Sequence, residues 1–122
     1  MEIDYLVGPF PSTHEYRAAL EAIHNEMNLK QVQLLLNHYA AKNHTATAGQ
    51  LAQSVGYKGY QGTNIQYGKL ATTLCYELGR EVNSDAVYIL LTTDTPRAKG
   101  IDRPLTLRSE VVKAIEELGW KP

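Results

Sequence analysis

The chain has one cysteine, Cys75, so an internal disulfide framework is excluded. No apolar run comes near the roughly 20 residues needed to cross a bilayer. The opening stretch MEIDYLVGPFPSTHEY is acidic and lacks the basic flank and long apolar core of a signal peptide. Together these absences predict a protein of a reducing compartment, the cytoplasm, with no membrane partner. Charge of one sign is also missing. The formal net charge of −1 argues against a strongly basic, histone-like binder. Internal repeats, low-complexity tracts and domain linkers are absent as well.

Signatures of chemistry are equally scarce. His14, His24, His38 and His44 are too irregularly spaced for a zinc signature, and Cys75 has no cysteine partner. There is no phosphate loop, serine elbow or nucleotide fingerprint. Cys75 beside Leu74 reads as helix packing rather than as a nucleophile, and Glu116-Glu117 as an exposed helix end. The expectation is a protein that is not an enzyme and needs no cofactor or metal.

What is present is ordinary globular composition: 43% apolar and 20% charged residues in 122 positions. That is enough for one domain with its own core, here residues 1–122, with 1–12 irregular because of Pro9 and Pro11. The charge is unevenly spread. Residues 1–26 hold Glu2, Asp4, Glu15, Glu21 and Glu26 against Arg17, a balance of −4. Residues 56–80 hold Lys58, Lys69 and Arg80 against Glu77, a balance of +2. Residues 97–108 hold Arg97, Lys99, Arg103 and Arg108 against Asp102, a balance of +3. Such asymmetry suits a protein that turns one basic face to phosphates, although chance produces similar fluctuations.

Periodicity predicts helices in the first two thirds of the chain. Ser12 or Thr13 can cap a helix to about Met27, with Tyr16, Ala19, Leu20 and Ile23 on one face. Asn28 and Gln31 form a variant capping box opening a helix to about Lys42. After the polar break KNHT, Thr47 and Gln50 form another box, followed by Leu51, Ala52 and Val55 at core spacing and a terminating Gly56. A fourth helix is expected from about Thr63, or from Tyr60 if the turn is shorter, to Gly79. Tyr67, Leu70, Ala71, Leu74 and Leu78 fall on its inner face. Ile65, Gln66, Lys69, Thr72, Thr73 and Tyr76 fall on its outer face. Then the period changes. Ala86–Thr93 (AVYILLTT) and Pro104–Leu107 read as strands of a hairpin whose loop is DTPRAKGIDR. A last helix, capped by Ser109 or Thr106, should stop at Gly119, leaving Trp120 to pack back.

Three helices followed by a hairpin predict a mainly α fold with a small β-hairpin, of the winged helix-turn-helix type. In that arrangement the helix from Thr63 enters a major groove about 12 Å wide, and the basic loop serves as the wing on phosphates. The candidate DNA-binding residues are Lys58, Tyr60, Gln61, Asn64, Gln66, Lys69 and Thr73 on the turn and helix, with Arg97, Lys99 and Arg103 on the wing. Gln and Asn can bond adenine bidentately, Lys can reach guanine or phosphate, and Ile65 can touch a thymine methyl. The same helix can instead be a solvated amphipathic helix. Six residues, YKGYQG, separate Gly56 from Thr63, longer than the usual turn.

The stretch LLLNHYAAKNHTATAGQLAQSVGYKGYQGTNIQYGKLATTL resembles a small domain of bacterial HNH-nuclease-type and restriction-associated proteins. The resemblance covers roughly residues 34–78 and implies a DNA-targeting accessory module. The nuclease does not carry over, because Asn37-His38 and Asn43-His44 form no His-Asn-His metal site.

Two other readings stay open. Gly56-Tyr57-Lys58-Gly59 matches the GXXG loop with which KH domains clamp nucleic-acid backbone. A strand should then precede the helix pair, but an amphipathic helix stands there, and Gly62 replaces an expected apolar residue. Alternatively, near-neutral charge with Ile65 and Tyr76 exposed fits a protein–protein adaptor or inhibitor. The face around Tyr16–Ile23 could serve a homodimer or simply cover the core. Tyr57, Tyr60, Tyr67 and Tyr76, interleaved with Lys58 and Lys69, could stack bases, although Tyr67 reads as core.

Overall fold

The computed structural model describes residues 10–93 and 103–121. Local signals set most helix boundaries. Ser12 caps α1 (Thr13–Ile23), Asn28 caps α2 (Leu29–Ala40) and Thr47 caps α3 (Ala48–Ser54). In each case the capping side chain accepts from the third helical N–H, and Glu15, Gln31 or Gln50 bonds back to the cap. Gly56 and Gly119 follow α3 and α5 (Ser109–Leu118) with φ of +83° and +73°. Only glycine adopts that conformation without strain. The expected cap of α5 is different, however. Arg108 occupies the cap position without a side-chain bond to the helix, since a guanidinium has only donors to offer N–H groups; its Nε donates to the Tyr88 carbonyl and the group stacks over Phe10 at 3.6 Å.

The fourth helix, α4 (Tyr60–Glu77), begins at the earlier of the two expected starts. Five residues, Val55–Gly59, therefore connect α3 to α4, with Val55 as the C-cap of the first and Gly59 as the N-cap of the second. Lys30 closes it from α2, donating from Nζ to the Val55 carbonyl and lying 5.1 Å from the centroid of Tyr57.

Two expectations about strands fail. KNHT was expected to be a mere break, but Asn43 and His44 take left-handed backbone (φ 56° and 54°) and lead into β1 (Thr45–Thr47). That strand alternates in burial, with Ala46 inward between two half-buried threonines, but three residues are too few to stand out as a strand in the sequence. Conversely, Ala86–Thr93 is not a strand along its length. Ala86–Ile89 forms a 3-10 turn, and only Leu91–Thr92 (β2) is extended. All of Ala86, Tyr88, Ile89, Leu90 and Leu91 are buried, so the run lacks the one-sided exposure of a half-buried strand. The Tyr16 hydroxyl on α1 donates to the Ile89 carbonyl at 2.8 Å, satisfying a group that the tight turn leaves unpaired.

With β3 (Pro104–Leu107) the strands make a three-stranded antiparallel sheet in the order β1-β3-β2, with Thr45 opposite Thr106 and Leu91 opposite Leu107. The fold is thus mainly helical with a small antiparallel sheet. Helix α1 lies between α5 and α4, while α2, α3 and α4 pack on one another. The apolar face of α1 (Tyr16, Ala19, Leu20, Ile23) is fully used inside the chain, which favours its core-covering role over a dimer surface. Trp120 does fold back, its ring 4.7 Å from that of His24. No described helix is long and apolar enough to cross a membrane.

A polar link crosses the core where α2, α4 and β3 meet. The buried His38 has Nε2 2.8 Å from the Leu105 carbonyl and Nδ1 2.8 Å from the Tyr67 hydroxyl. Since a carbonyl can only accept, Nε2–H donates to Leu105 and Nδ1 accepts from Tyr67. The Tyr67 hydroxyl also lies 3.2 Å from the Leu34 carbonyl. Burial pushes the imidazole down to about 4, outweighing the Leu105 bond, which favours the charged ring.

The folded state therefore resists a proton that an unfolded histidine accepts near pH 6.5. Its contribution is intact above that value and is lost as pH falls toward 4, amounting to about 3 kcal/mol. Urea unfolding between pH 7 and pH 4 should show this loss, and His38→Gln should flatten the profile across that window. An equally steep profile in the variant would contradict the assignment.

Candidate nucleic-acid interface

The outer side of α4 borders a groove of about 760 Å³. Its other wall is the segment from Asn83 to Leu91 together with Arg103 and Leu105 of the returning strand. This arrangement follows from the core: Tyr67, Leu70, Ala71 and Leu74 are buried, which turns Asn64, Ile65, Lys69 and Thr72 outward. Ile65 keeps 56% of its surface exposed. The walls are held at their separation by the His38 link, because Tyr67 belongs to α4 and Leu105 to β3.

Four of the ten residues expected at a DNA interface line this groove: Asn64, Lys69, Thr73 and Arg103. Lys58, Tyr60 and Gln61 are exposed at the turn and the first turn of α4, outside the groove lining. Gln66 points elsewhere. It is half-buried and its Oε1 accepts from Asn28 Nδ2 at 3.0 Å, tying α4 to the start of α2. The Thr73 hydroxyl donates to the Lys69 carbonyl at 3.1 Å, so its free capacity is as an acceptor. Arg97 and Lys99 lie outside the described residues.

Several features were not evident from sequence. Asn83, Ser84, Val87 and Leu91 join the groove only because the 83–91 segment packs as a tight turn against α4. The strand that a KH-like arrangement calls for exists, as β1, but α2 precedes it and packs into the same core. Cys75 is buried, and burial raises its thiol pKa, in keeping with a packing role. Among the described residues no three His, Cys, Asp or Glu side chains gather as a metal site would require.

None of the described lining residues is acidic, although the chain has 13 acids. Within the described helices the acids lie mostly elsewhere. Helix α1 and the turn after it carry Glu15, Glu21 and Glu26 against Arg17, and α5 carries Glu110, Glu116 and Glu117 against Lys113, each a balance of −2. Helix α4 carries Lys69 against Glu77, a balance of zero, so its side is the less acidic one.

Two glycines inside α4 contrast. A Cβ at Gly62 would lie 2.5 Å from the Tyr57 ring, so glycine lets the turn pack against the helix. A Cβ at Gly68, on the groove lining, would meet nothing within 4 Å. Packing explains the first and not the second.

Comparison with family models, curated proteins and solved structures returns no match. The residues themselves must therefore carry the functional argument.

Thermal unfolding checks the glycine contrast. Gly62→Ala should destabilise by about 1–3 kcal/mol through overpacking on Tyr57, whereas Gly68→Ala should stabilise by about 0.5–1 kcal/mol. Equal effects at the two positions would be inconsistent with this packing.

Proposed function

We propose that this chain is a DNA-binding module without catalytic activity, built as a winged helix-turn-helix. Helix α4 reads the duplex and the β2–β3 hairpin is its wing. The observation carrying the proposal is the groove between α4 and β3, with Lys69 on one wall, Arg103 on the other and no acid among its described lining residues. Support for the architecture comes from the order helix, strand, helix, helix, strand, strand from α2 onward and from the β1-β3-β2 sheet. Between the caps Val55 and Gly59 stand three residues, Gly56–Lys58, a length within the usual helix-turn-helix range. On this reading Asn64 and Gln61 meet base edges, and Lys58 and Lys69 meet phosphates. The resemblance to restriction-associated domains extends the proposal to a role beside such enzymes, in which case methylated and unmethylated duplexes should bind differently.

A specific observation favours a second reading. Ile65 and Tyr76 are 56% and 73% exposed on the same outer face of α4, which suits a protein-docking helix. Under that reading Ile65→Ser and Tyr76→Ser abolish partner binding, while Lys69→Ala has little effect.

Salt separates the two. If Lys58, Lys69 and Arg103 each meet a phosphate, log K for duplex DNA should fall against log salt with a slope of about −2.7, roughly 40-fold from 50 to 200 mM. Lys69→Ala should reduce the slope by about one. No measurable affinity at about 50 mM salt would overturn the proposal.

A further inference from the structure

The groove beside α4 has a chemistry that phosphate contact alone does not account for. Ile65, Val87, Leu91 and Leu105 give it apolar surface, Asn64 and Ser84 add neutral hydrogen-bonding groups, and Lys69 and Arg103 are cationic. Its volume of about 760 Å³ falls within the range of sites that enclose small organic molecules. A sugar-phosphate backbone would use the cations and waste the apolar walls. A ligand that uses all three kinds of surface has a flat, weakly polar body, an edge of donors and acceptors, and a negative charge.

Gly68 is the independent observation. It stands in the interior of an 18-residue helix, where glycine weakens the helix, and it lines the groove. Its backbone is not left-handed, and the space where a Cβ would stand is empty. Neither conformation nor packing calls for glycine there. An occupant of the groove does, since any side chain would project into that space.

From these observations we infer that the groove receives a single unstacked nucleotide, its base against Ile65 and Val87 over Gly68 and its phosphate between Lys69 and Arg103. The inference rests on the nucleic-acid reading above and deepens it: the nucleotide is an unpaired one within the bound strand. Extruding a base from a duplex costs unstacking energy, least where the base is already unpaired. The protein should accordingly prefer duplexes carrying an unpaired nucleotide.

Fluorescence anisotropy with a matched duplex, the same duplex carrying one unpaired nucleotide, and a free nucleoside monophosphate as the third ligand tests this. The unpaired duplex should bind at least about tenfold tighter than the matched one. Gly68→Leu, which fills the groove at a position with room for a side chain, should erase that preference, the two duplexes then binding within about twofold of each other. Val87→Glu, which brings a carboxylate from the opposite wall, should also erase it, and covers the case in which the leucine variant does not fold. Equal affinity for the two duplexes, or a preference surviving both substitutions, overturns the groove assignment and leaves DNA binding standing. Binding of the monophosphate alone, lost in Gly68→Leu, upholds the ligand class but overturns its nucleic-acid source. Binding of none of the three overturns both.

Discussion

The His38–Tyr67 link is the interaction on which the rest depends. Helix α2, helix α4 and strand β3 meet there, and one imidazole satisfies a hydroxyl from the second and a carbonyl from the third. Burying these groups is tolerable only because each has a partner, and losing one partner leaves another stranded at a cost of about 1–3 kcal/mol. The geometry is therefore specified more tightly than apolar packing alone would specify it. Since α4 and β3 also form the two sides of the groove, the same link fixes both the core and the candidate interface.

Around that centre the molecule separates its charges. The acidic helices α1 and α5 pack together, with Arg17 and Glu117 3.3 Å apart across them at an exposed position of little energetic weight. The α4 side collects Lys58 and Lys69. A net charge near zero thus combines an acidic α1–α5 side with a less acidic α4 side, and no described residue lining the groove is acidic. That distribution, rather than the total, is what a phosphate-bearing partner would experience.

Helix positions were legible in the sequence because short-range chemistry decides them. The capping pairs Ser12/Glu15, Asn28/Gln31 and Thr47/Gln50 and the stop glycines Gly56 and Gly119 each act within a few residues. The sheet was legible only in part: Pro104–Leu107 is the strand its residues suggest, whereas the other two depend on distant packing. Thr45–Thr47 is extended because β3 pairs with it from some 60 residues away. Ala86–Ile89 coils because it packs on α4, overriding its preference for extended backbone. The candidate site divides along the same line. Asn64, Lys69 and Thr73 could be assigned from helix periodicity, and Arg103 from charge. Gln66 could not, since only the fold brings Asn28 to it. The opposite wall from Asn83 to Leu91 could not either. Gly68 was visible as a glycine inside a helix, but its meaning required knowing that the space beside it is empty.

Under the proposed function, nucleic acid meets the α4 side, between that helix and β3. Amide chemical-shift mapping on adding duplex DNA tests it most directly. The account predicts shifts concentrated at Lys58–Thr73 and Arg103–Leu105, with α1 and α5 unmoved. Shifts confined to α1 and α5, or none at all, would contradict it.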